Sequence, residues 1–74
     1  MTEQQSKDHK MITDAWHLLR DYGNLTTSES DSARWEALIN DADIMAAESQ
    51  EASKVAGMII NMIECRARGW QINT

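Results

Sequence analysis

Residues 45–52, Met45-Ala46-Ala47-Glu48-Ser49-Gln50-Glu51-Ala52, separate two architectures for this chain. Apolar residues recur at helical spacing on both sides, and no glycine or proline interrupts the stretch. An unbroken helix over 31–68 would be about 57 Å long at ~1.5 Å per residue. A 74-residue chain has too thin a core to cover such a rod as a monomer. Ser49 followed by Glu51 instead fits a helix start, with acid in the first turn where the dipole favours it. The expected break therefore lies near Ser49-Gln50, with one helix before it and one after.

Downstream, a helix over about 50–68 carries Ala52, Val55, Ala56, Ile59, Met62 and Ile63 inward, with Met58 and Ile60 at the two edges of that face. Its apolar arc is wider than a surface helix needs, which makes it the candidate central helix. Arg66 and Arg68 complement its C-terminal dipole, and Gly69 ends it. Upstream, a helix over about 31–48 presents Trp35, Leu38, Ile39, Ala42, Met45 and Ala46 on one stripe. Asn24 to Ser32 is a polar loop in which Ser30 or Asp31 is the expected cap. A first helix over about 7–22 has Ile12, Ala15, Trp16, Leu19 and Tyr22 on one face, widened by Met11 and Leu18. Gly23 is expected to stop it in the left-handed conformation, with Leu25 folding back. Residues 1–6 read as a disordered tail and residues 7–74 as a single helical domain. The expected fold is an all-α, small three-helix bundle.

A chain this short buries only ~60% of its unfolded surface and usually needs a staple. One cysteine, Cys65, excludes an internal disulfide. A secreted chain of this size would carry an even set, so a reducing, cytoplasmic setting is expected. No apolar run approaches the ~20 residues of a membrane span, and the polar N-terminus lacks a signal-peptide core. A net charge of −5 argues against direct nucleic-acid or anionic-lipid binding.

No constellation carries catalysis. His9 and His17 are eight residues apart, too far for one metal, and Asp14 and Asp21 form only a loose flank to His17. A metal site would need an i,i+3 or i,i+4 pair repeated on a second helix. Cys65 has arginines nearby but no base beside it, as a nucleophile requires. Phosphate loops and hydrolase or metalloprotease motifs are absent. Trp16 and Trp35 are expected core anchors. Trp70 either folds over the bundle end or stays exposed as a contact residue. The expectation is a non-enzymatic chain with no catalytic residues, metal or cofactor.

The acid is concentrated. Residues 24–51 hold seven carboxylates and one base, Arg34, a balance of −6, against −1 before and +2 after. Opposite the core stripe of the second helix lie Ala37, Asn40, Ile44 and Ala47, at the i, i+3, i+7, i+10 rhythm of a packing seam. Glu36 and Asp43 flank the seam on one side, Asp41 and Glu48 on the other. Alanine is a good helix former and one exposed Ile is ordinary. The alternative is a docking face for a partner with an apolar knob ringed by Lys or Arg. Self-pairing of this face would set carboxylates against carboxylates, so a homodimer would use helix three instead, through Met58 or Ile60.

The pattern Trp16-x-x-Leu19-x-x-Tyr22-Gly23, a polar loop, Trp35-x-x-Leu38 with Ala42, and a later Ile59/Ile63-Glu64-x-Arg66 helix resembles small uncharacterised helical proteins of Firmicutes phages and mobile elements. The similarity spans about residues 11–68 and consists mostly of core anchors. The chain departs from those proteins in that Arg66 and Arg68 are followed by Gly69-Trp70 and no further base, where they have a more basic end. The resemblance implies a protein that binds host machinery, of which anti-CRISPR inhibitors are one example. The functional expectation is an inhibitor docking a basic partner through the acidic helix. The alternative is a structural or assembly homodimer in which acidity serves only solubility.

Overall fold

A computed structural model describes residues 2–69. Over these residues the chain forms α1 (Glu3–Tyr22), a 3-10 turn η1 (Glu29–Asp31), α2 (Ser32–Ala46) and α3 (Gln50–Arg68). The three helices pack pairwise as a bundle, with the most extensive contact between α2 and α3.

The break between α2 and α3 falls where Ser49 was read as a start, though α2 ends at Ala46, two residues before the expected 48. No special backbone is needed. Ala47 continues right-handed at φ −70°, and Ser49 is fully extended at φ −169°, ψ 168°. The Ser49 hydroxyl accepts the Ala52 N–H at 3.0 Å, which satisfies one of the orphan donors of α3. Gly69 closes α3 in the left-handed region at φ 68°. The expectation for Trp70 lies outside the described residues.

α1 begins at Glu3, so residues 3–6 are helix rather than the expected tail. The cause is a capping box. Thr2 Oγ1 accepts the Gln5 N–H at 3.1 Å, and Gln5 Oε1 accepts the Thr2 N–H at 2.9 Å. Gly23 is also corrected: it is right-handed at φ −65°. Glycine is needed there for space, because a Cβ would run into the Leu19 carbonyl oxygen. The Leu25 N–H donates to the Tyr22 carbonyl at 3.1 Å, and Leu25 is buried, so the expected fold-back does form.

The 24–31 loop is held by groups that the sequence presented as charge or core. Asp31 is the N-cap residue of α2, one of the two expected, but its side chain makes no cap hydrogen bond. Its carboxylate accepts from the Thr26 N–H at 2.8 Å and the Thr26 hydroxyl at 2.7 Å. Those bonds hold its pKa below the ordinary carboxylate value. Ser30 does not cap α2; Ser28 caps the 3-10 turn instead. Arg34 donates to the Asp21 carbonyl and to Asn24 Oδ1, each at 2.8 Å. Trp35 Nε1 donates to the Thr26 carbonyl at 2.9 Å. The lone base of the acidic segment is thus a loop clamp.

The core comprises Ala15, Leu18, Leu25, Leu38, Ala42, Met45, Ala52, Ala56, Ile59 and Ile63. Trp35 packs half-buried against it, but Trp16 does not, which overturns its expected role as an anchor. α1 is rotated so that Met11, Ala15 and Leu18 face inward while Ile12 and Trp16 face out. The alanines at 15, 42, 52 and 56 permit close helix spacing, and such contacts leave no room for an indole. Ile39 is also more exposed than its stripe suggested. Ile60, expected at an edge, packs against the core.

Candidate interaction face

The outer face of α2 keeps most of the expected seam. Asn40, Ile44 and Ala47 are exposed, and Ile44 is 70% accessible. Ala37 is half-buried, so the seam is shorter than expected at its N-terminal end.

The two carboxylate rows differ. Glu36 and Asp43 are exposed, and among the described residues neither has a hydrogen-bond or ion-pair partner. Asp41 and Glu48 are tied to α1. Asp41 accepts the Tyr22 hydroxyl at 2.5 Å, which raises the phenol pKa, since the bond favours its protonated form. Glu48 accepts from Lys10 Nζ at 3.1 Å, and Lys10 also bonds Asp14 at 2.9 Å. Those two hydrogen bonds, first Asp14 and then Glu48, raise the Lys10 pKa. The expected symmetric pair of rails is therefore one open row and one row cross-linked to the neighbouring helix.

That cross-link adds α1 to the face. A surface groove runs between the helices, with Asp14, His17 and Asp21 on one wall and Asp41, Ile44 and Glu48 on the other. Arg20 bonds Asp21 at 2.9 Å and lowers its pKa. The groove and the open row together present six carboxylates (Asp14, Asp21, Glu36, Asp41, Asp43, Glu48) against two cations, Lys10 and Arg20. Reading α2 alone missed the α1 half. The signal was Asp14 and Asp21 at i,i+7, one acidic stripe two turns long.

Among the described residues, no group of three or more His, Cys, Asp or Glu side chains is placed to hold a metal ion. Asp14 and Asp21 engage Lys10 and Arg20 rather than forming a cluster around His17. Cys65 is half-buried on α3. No helix among these residues is long and apolar enough to cross a membrane. No family model, curated protein or solved structure matches the chain.

Proposed function

We propose that the protein is a non-enzymatic interaction module that docks a basic protein surface on the outer face of α2 and its groove with α1. The observation that carries this reading is Ile44, 70% exposed next to the unpartnered carboxylate of Asp43 and sharing a groove with those of Asp41 and Glu48. An apolar contact ringed by like charge suits an apolar knob ringed by Lys or Arg: the centre contributes burial, and the rim sets orientation and encounter rate. Exposed charge of this kind is screened beyond ~8 Å at physiological ionic strength, so binding should weaken steeply with salt. The resemblance to phage-borne helical proteins favours a component of host machinery as the partner, and inhibition, as by anti-CRISPR proteins, as the consequence of docking.

The test is capture of a binding partner by the wild-type chain and by Ile44→Arg. The variant is expected to keep its far-UV circular dichroism, since residue 44 faces solvent, and to lose the partner. Equal capture with equal helicity would refute the reading.

A further inference from the structure

A second face of the bundle is apolar at its centre and shares only Arg20, at its margin, with that docking groove. α1 and α3 run parallel: Arg66 lies beside Gly23 at one end, and Met11 and Ala52 share a cavity at the other. α2 covers one edge of each. Lys10 of α1 lines a groove with Asp41, Ile44 and Met45 of α2, and Ile60 of α3 borders Trp35 and Ile39. Residues two positions apart on a helix lie about 160° apart around its axis. Ile12, two from Lys10, and Met58, two from Ile60, therefore lie on the edges turned away from α2. Trp16 follows Ile12 by one turn. These three are 67%, 66% and 58% exposed for Ile12, Met58 and Trp16 respectively.

The outermost charges around this face are ordered along the helices. On α1, Asp8, Ile12, Trp16 and Arg20 form one i,i+4 ridge, acid at one end and base at the other. On α3, Glu51 and Arg66 stand about 22 Å apart along the axis, with Met58 midway between them. The midpoint of the α1 ridge is Asp14, which the Gly23–Arg66 approach places level with about residue 57 of α3. Lys54 lies between Glu51 and Met58, so it is the outermost charges of both helices that reverse sign about the same level.

We propose that a second copy of this chain covers this face, related by a two-fold axis lying across α1 and α3 at that level. Each α1 then packs antiparallel on the other α1, and each α3 on the other α3. Ile12 meets Trp16, Asp8 meets Arg20 and Glu51 meets Arg66 across the interface. The ridge is self-complementary in this orientation, which is what an isologous contact requires. Two parallel helices of this length offer a face of about 600 Å² in projection, near the ~800 Å² that each partner of a stable interface buries. The pairing also provides the staple that a thin core with one cysteine lacks. It leaves the acidic face of α2 outside the interface.

Sedimentation equilibrium over about a hundredfold range of concentration tests this. The wild type should reach twice 8.4 kDa, and Trp16→Glu and Met58→Glu should each remain monomeric with unchanged helicity. Glu51→Arg should weaken association by roughly tenfold, and Glu51→Arg combined with Arg66→Glu should recover it. A wild type that stays monomeric throughout overturns the proposal. So does a dimer that survives both apolar-to-Glu changes, or a charge-reversed pair that binds no better than Glu51→Arg alone. Ile44→Arg should leave the dimer intact, so loss of partner capture and loss of dimerisation are separable.

Discussion

Leu38 sits at the centre of the α2 contact with no exposed surface, and Leu38→Ala is expected to lower unfolding free energy by about 2–5 kcal/mol. Trp16→Ala removes a far larger side chain but leaves no cavity. At concentrations where the chain is monomeric it should change stability by no more than ~0.5 kcal/mol. Urea titration of both variants checks the contrast, which inverts the order that residue size suggests. Asp31 carries a pH signature. Its folded pKa lies below its ordinary value of 3.8, so the stability it contributes is complete above that value. That contribution is lost as pH falls through the lower folded value. Asp31→Asn keeps an acceptor for Thr26 and abolishes the titration. The stability difference between wild type and this variant should be flat at neutral pH and change only below about pH 4, as measured by urea titration at stepped pH.

The helices owe their ends to local chemistry, and most of that chemistry is visible residue by residue. Gln50–Arg68 emerges from Ser49, Glu51 and Gly69, and the structure gives those bounds. Because Ser49 alone marks the break from α2, Ser49→Ala is expected to cost about 1 kcal/mol, read from the shift in urea midpoint. The start of α1 was harder to see. Thr2 and Gln5 make a capping box, but a Thr-x-x-Gln among polar residues with no apolar run directly behind it looks like tail. The rotation of α1 was not legible at all. Met11 and Leu18 on one side of Ala15, and Ile12 and Trp16 on the other, offer two apolar faces of similar width. The close alanine contacts that select between them belong to other helices. The same limit applied to the acidic rows of α2. Periodicity placed Glu36, Asp41, Asp43 and Glu48 correctly outside the core. It had no means of showing that Tyr22 and Lys10 from α1 would engage only Asp41 and Glu48.

At the scale of the molecule, charge and apolar surface are sorted onto different sides. Glu36, Asp41 and Asp43 face outward on α2 with Glu48 just beyond its end, and α1 extends this acidic face with Asp14 and Asp21. Ile12, Trp16 and Met58 lie on the α1–α3 side, where carboxylates stand only at one end. A single surface could not serve a basic partner and a second copy equally well, because like charges facing each other are repulsive. The two proposed contacts are separable for this reason. Titration of the captured partner into wild type, Ile44→Arg and Trp16→Glu at equal ionic strength tests that separation directly. Ile44→Arg should weaken affinity by more than about tenfold, while Trp16→Glu binds as the wild type does. Equal affinity for wild type and Ile44→Arg, or a loss confined to Trp16→Glu, would contradict the account.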